Sequence, residues 1–205
     1  MILSKPTNYI RDLTPRREEK LKRVISHRQR SLAVVLENVH DPHNISAVLR
    51  SCDAVGILDV FVIHTPEFRS RKLGRKSSAS AKKWVNVHYF DSTEACFTEL
   101  RKRGLQIWVT HLSSDAKDLY EMDLSQPIAL VFGNEKDGVT DEAVKLADGN
   151  FIIPMIGMIQ SLNISVACAV SLYEALRQRL AADHFSTPEF TPEVQAELYH
   201  EWSHK

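Results

Sequence analysis

"FIIPMIGMIQSLNISVACAVSLY", residues 151–173, contains no charged side chain. A run of that length suits either a membrane-spanning helix or a strand, a turn and a buried helix. Pro154 and Gly157 decide between them. Proline removes a backbone donor and glycine weakens a helix interior. The run therefore divides into a short strand over 151–153, an uncharged turn rich in methionine, and a long helix over about 161–181. Ser161 suits the N-cap of that helix, with Asn163 in its first turn.

Upstream, short apolar runs at 32–36, 58–63, 84–88, 105–109 and 128–132 predict strands. Ile45, Val48, Leu49, Cys52 and Val55 recur at the spacing of an amphipathic helix. Asp41 and Pro42 suit its N-cap and first position, and Gly56 its end. Residues 92–103 and 139–149 predict two more helices, the second capped by Thr140. Strands alternating with helices imply an α/β domain with a mainly parallel sheet flanked by helices. Helical spacing at 15–30 and 192–203 adds a helix at each end. The expected division is a basic helical extension (1–30), the α/β domain (31–182) and a C-terminal helical extension (183–205).

The 205 residues, 43% hydrophobic, suffice for a sizeable core. Cys52, Cys96 and Cys168 sit far apart without CxxC spacing, which reads as free buried thiols in a reducing compartment. The first twenty residues lack the apolar core of a secretory signal, so a cytoplasmic location is expected. Formal net charge is zero, but its distribution is uneven. Residues 1–30 carry nine Lys/Arg against three acids, and residues 69–83 carry seven and no acid. The last stretch, 183–205, holds five acids and one lysine. Two basic segments on a neutral chain point to a localised polyanion site.

Chemically able groups gather in three loops. "HDPHNISAVLR" (40–50) holds two histidines, an aspartate and an asparagine where a strand turns into a helix. His40, Asp41 and His43 are too few for a metal site, and capping explains them better. Arg50 lies opposite the apolar stripe of its helix, beside Asp53, where an i,i+3 ion pair is the plain alternative to function. "VFGNEKDGV" (131–139) places Glu135 between Gly133 and Gly138 beyond a buried strand. That is the edge at which α/β sheets bind ligands. The uncharged turn after residue 153 suits a flat apolar ligand held by backbone groups.

In this order, "NISAVLR" (44–50), "LVFGNEKDGV" (130–139) and "IPMIGMIQSLNISVACAVSLYEALRQR" (153–179) resemble the three motifs of the SPOUT methyltransferases, in the TrmH branch. "KWVNV" and "VTHLS" match as well, and the resemblance covers about residues 15–181. It implies a trefoil-knotted α/β fold, a homodimer with interface-built active sites, and S-adenosylmethionine as methyl donor. Thr110, Gly133, Ile153, Ser161 and Leu162 would line the cofactor pocket, and Asn44, Arg50, Glu135 and Asn163 would be catalytic. Arg17, Lys20, Arg28, Arg177 and Arg179 would contact RNA. A guanidinium hardly deprotonates, so Arg50 is read as binding phosphate and stabilising the developing oxyanion rather than acting as base. Asp137 departs from the pattern by adding an acid near the RNA path.

The basic N-terminal helix and "TPEVQAELYHEW" (191–202) are similar to members that methylate the ribose of the guanosine at position 18 in the tRNA D-loop. The alternatives are ribosomal RNA, another tRNA position, or RNA binding without catalysis. No metal, membrane or DNA partner is expected.

Overall fold

The computed structural model describes residues 13–66 and 83–205. The basic run at 69–83 thus lies outside the described residues except for Lys83, as do Lys5, Arg11 and Asp12.

Seven parallel strands form one sheet in the order β3-β2-β1-β6-β4-β7-β5. In chain order they are β1 (Leu32–Glu37), β2 (Asp59–Ile63), β3 (Asn86–Phe90), β4 (Gln106–Thr110), β5 (Lys117–Asp118), β6 (Ile128–Phe132) and β7 (Gly149–Ile152). β1 and β6 pair in the middle and are buried along their whole length. That burial explains their unbroken apolar runs, since both faces of a parallel sheet are covered. The faces alternate by residue. Val34, Leu36, Leu130 and Phe132 pack towards α2 (Pro42–Ala54) and α5 (Ile164–Ala181). Ala33, Val35, Ala129 and Val131 pack towards α3 (Thr93–Lys102) and α4 (Asp141–Leu146). β5, only two residues long, is a strand that no apolar run announced.

Local signals set the helix ends. Asp41 caps α2 by accepting from the His43 N–H at 2.8 Å, with Pro42 in the first turn. Gly56 ends it at φ +91, where a Cβ would sit 2.7 Å from the His27 carbonyl oxygen. Thr140 caps α4 as expected. α5 differs: Asn163, not Ser161, is its N-cap, and the helix starts three residues later than the sequence suggests. The first buried side chain after the turn is Ile164, and asparagine caps as well as serine.

The two terminal extensions meet. Leu21 and Ile25 of α1 (Pro15–Ser26) pack with Leu198 and Trp202 of α6 (Pro192–Ser203), over Leu58 and Trp84. Glu189 straps this unit to the sheet by accepting from the N–H groups of Arg30 (2.7 Å) and Ser31 (2.8 Å).

Two arginines assigned to an RNA surface are inside the protein, which corrects that assignment. Arg28 is 1% exposed. It is ion-paired to Asp53, bonded to the Ile57 carbonyl at 3.1 Å, and lies 5.0 Å from the Trp202 ring. Arg179 is 0% exposed and donates to the carbonyls of Leu124, Ser31 and Gln126 and to the side chains of Gln29 and Ser31. Burial lowers its guanidinium to about 10. Both side chains bracket the extensions to the core. The Arg28–Asp53 pair also removes the partner that the sequence offered Arg50.

Among the described residues no helix is long and apolar enough to cross a membrane.

Candidate functional site

The loops after β1, β6 and β7 converge at the carboxyl ends of the central strands, where parallel sheets place their ligand sites. Their frame begins with Glu37, the last residue of β1, which is fully buried. Its carboxylate accepts from the Thr140 N–H (2.8 Å), the Thr140 hydroxyl (2.7 Å) and the Thr93 hydroxyl (3.0 Å). A buried polar group needs such partners, and these three hydrogen bonds clamp the β6–α4 loop and α3 to the central strand. Sequence reasoning missed Glu37, because its partners lie 56 and 103 residues away.

The β6–α4 loop is held rigidly. Asn134 and Gly138 exchange backbone hydrogen bonds of 3.1 and 3.0 Å, and the Asn134 side chain accepts from the N–H groups of Lys136 and Asp137. Gly133 is buried so tightly that a Cβ would lie 1.9 Å from the Gly138 carbonyl carbon, so no other residue fits. Gly138 itself turns with φ +70. The hairpin presents Glu135 at its exposed tip.

Three of the residues singled out in the sequence are joined here. Asn44, in the first turn of α2, donates its amide to Glu135 Oε1. Asn163 donates its amide to Asn44 Oδ1 at 3.2 Å. Asn163 Oδ1 in turn accepts from the N–H (2.9 Å) and hydroxyl (2.6 Å) of Ser165. Residues from three loops thus form one chain: Ser165, Asn163, Asn44, Glu135.

The other candidates stand apart from it. Arg50 is exposed two turns further along α2, about 9 Å of helix rise from Asn44. It makes no hydrogen bond or ion pair with another described residue. Thr110 ends β4 and spends its hydroxyl on the Val131 carbonyl at 3.1 Å. Ile153 is half-buried, while Ser161 and Leu162 are exposed. Arg17 and Lys20 line a cavity of about 200 Å³ with Trp84. Arg177 is exposed but paired with Glu174 at 2.7 Å. His64, at the same sheet edge, is held below the usual histidine range by burial. No group of metal-ligating residues occurs among the described residues, the His40–Asp41–His43 stretch included.

Large apolar side chains are exposed in the loops after β4 and β7. Ile156 is 101% exposed, Met158 98% and Leu112 80%, which is unusual for large apolar side chains crowded at one edge. On α5, Val166, Tyr173 and Leu180 form an exposed stripe at seven-residue spacing.

The SpoU rRNA Methylase family matches residues 31–173. A tRNA (guanosine(18)-2'-O)-methyltransferase of Thermus thermophilus is 42% identical over 200 residues, 96% of this chain and 100% of that protein. The crystal structure of the A. aeolicus TrmH/SpoU tRNA modifying enzyme superposes with a TM-score of 0.82 at 38% identity, over 92% of this chain and 95% of that one. The SpoU methyltransferase AviRb of Streptomyces viridochromogenes, solved in complex with the cofactor AdoMet, gives 0.63 at 26% identity, over 73% and 58% of the two chains. With its motifs gathered at one sheet edge and its likeness spanning nearly the whole chain, the protein belongs to the SpoU methylase family.

Proposed function

We propose that this protein transfers a methyl group from S-adenosylmethionine to the ribose 2′-hydroxyl of the guanosine at position 18 in the tRNA D-loop, as its relative's name describes. The observation that carries this reading is the chain Asn163–Asn44–Glu135, which gathers three motif residues from three loops at one ligand-binding edge. A ribose hydroxyl is a weak nucleophile that must be aligned with the methyl and relieved of its proton. Asn44, Glu135 and Asn163 supply polar contacts for that alignment. Arg50 has the planar fork and the exposure to grip a neighbouring phosphate and offset charge developing on oxygen.

The residues present fit the cofactor. Gly133 packs its backbone directly against Gly138, which fixes the hairpin at the sheet edge, and Leu112, Met155 and Leu162 offer exposed apolar surface for a flat purine. When bound, S-adenosylmethionine supplies an electrophilic methyl group. Thr110, Gly133, Ile153, Ser161 and Leu162 would hold it, largely through backbone groups.

Homodimerisation belongs to the same reading. The exposed apolar residues of the 153–163 turn and the α5 stripe need a cover, and a second copy would place one protomer's turn against the other's site. Sedimentation should find a dimer at low concentration, and an active monomer would overturn this. The trefoil knot is supported by topology: β7 lies beyond β6 and β4 from β1, yet the following α5 packs on α2, so the turn must cross back past those strand ends. Exposed Arg17, Lys20 and Arg177 are the described cations proposed to contact tRNA.

Whole tRNA transcripts and a ribosomal RNA fragment, methylated in parallel and mapped by mass spectrometry, test the assignment. A ribose methyl in the D-loop is expected. Methylation confined to the anticodon loop or to the ribosomal fragment would refute it.

A further inference from the structure

The cavity of about 200 Å³ where α1 faces Trp84 lies away from the methyl-transfer edge. Asp53, in its wall, stands nine residues beyond Asn44 on α2, about 14 Å of helix rise. Sites for drug-sized ligands measure roughly 300–1,000 Å³, so this one takes a single ring system. Trp84 is half-buried, and the Trp202 ring meets it edge-on at 5.3 Å, which holds the indole in place. Exposed Arg17 and Lys20 stand at the rim, three residues apart on α1. The Asp53 carboxylate gives Oδ1 to Arg28, while Oδ2 has no hydrogen-bond partner among the described residues. Arg28 itself spends its donors on Asp53 and the Ile57 carbonyl, so it fixes the carboxylate without reaching outward. A phosphate alone would suit the two cations but be repelled by Asp53. A nucleotide suits all of these groups at once. Its base has a face to stack on an indole, an amino group to donate to a carboxylate, and flanking phosphates for the rim cations.

We propose that this cavity binds one unpaired nucleobase of the tRNA, other than the one whose ribose is methylated. The base stacks on Trp84 and donates an amino N–H to Asp53 Oδ2, while Arg17 and Lys20 hold the flanking phosphates. The inference rests on the tRNA-binding part of the reading above, and adds recognition of a base to a face otherwise assigned to phosphates. Uracil, which has no amino group, fits less well than guanine, cytosine or adenine.

The test is equilibrium binding of the full chain to whole tRNA transcripts, and it needs no turnover. Wild-type binding to intact tRNA comes first, because its absence would sink the tRNA reading itself. Each unpaired position is then made abasic in turn, with ribose and phosphate kept. At one position besides the methylated one, loss of the base should weaken wild-type binding roughly 5- to 150-fold, the equivalent of one stacked base. Trp84→Leu should bind intact and abasic tRNA equally, and Trp84→Phe, which keeps a ring for core and base alike, should retain most of the penalty. Trp84→Leu should leave the salt dependence unchanged, because it removes no phosphate contact. At the same position, uracil should bind wild type several-fold more weakly than a base with an amino group. Asp53→Asn keeps an oxygen for Arg28 but can present a donor where Oδ2 accepted, so it should reverse that preference. This arm reads the site even if Trp84→Leu fails to fold. No such position in wild type, an abasic penalty that persists in Trp84→Leu, or a base preference unchanged in Asp53→Asn would each overturn the proposal.

Discussion

The Asn163 amide reaches Asn44 Oδ1 over 3.2 Å, tying the cap of α5 to the first turn of α2. One side chain therefore serves both a helix terminus and the site, and the two roles separate by substitution.

Asn163→Ala should destabilise the protein by about 0.5–2 kcal/mol through loss of the cap, and reduce methyl transfer far more than that. Asn163→Ser should recover the stability, since serine caps well, but not the activity, since its side chain is too short to reach Asn44. Thermal unfolding beside single-turnover rates checks both. Equal recovery of stability and rate would show that the Asn44 link is idle.

Gly133→Ala places a methyl group on the Gly138 carbonyl, against a gap of 1.9 Å. The hairpin carrying Glu135 must then move, so cofactor and RNA affinity should both fall. Gly104→Ala meets no neighbour within 4 Å but sits at φ +76. Its cost should be modest strain, with activity per folded molecule intact. Titration of both variants with demethylated cofactor distinguishes them.

Arg50→Ala should nearly abolish transfer while cofactor affinity stays within a few-fold, because Arg50 is exposed and unconnected to the hairpin. Arg50→Lys should fail also, since an ammonium lacks the planar fork. Collapse of cofactor binding with normal turnover per bound cofactor would refute the role.

Arg179 and Lys20 should behave oppositely. Arg179→Met leaves five acceptors and the nearby Glu189 carboxylate without their buried partner. A loss of about 3–5 kcal/mol is expected, as for breaking a buried ion pair, with tRNA affinity of the folded fraction preserved. Lys20→Ala should leave stability unchanged, weaken tRNA binding and flatten its salt dependence by up to about one unit of slope. Urea unfolding and binding at several salt concentrations read the two effects.

All three cysteines are buried. Burial pushes the Cys96 thiol up to about 12 and the Cys52 thiol well above its ordinary value. At pH 8 neither exists as the reactive thiolate. A thiol reagent should therefore label neither in the native protein and both after unfolding, and fast native labelling of either would contradict the packing of α2 and α3.

Much of the architecture was legible in the chain, because burial writes itself as periodicity. The β6 run at 128–132 coincides with its strand, and the caps Asp41 and Thr140 and the stop at Gly56 stand where their chemistry places them. The motif asparagines and Glu135 were visible as residue types for the same reason: polar groups after apolar strands stand out. Their connection was not, because Asn44 is 91 residues from Glu135 and 119 from Asn163. Charge was the weaker guide. Arg28 and Arg179 read as surface cations, yet both are internal, because a guanidinium's five donors let it be buried wherever enough carbonyls converge. A sequence records which residues can donate, accept or hide from water. Only the tertiary structure decides which acceptors surround a given donor, because that depends on contacts between segments far apart in the chain, and so it alone distinguished the arginines that hold the protein together from those left exposed.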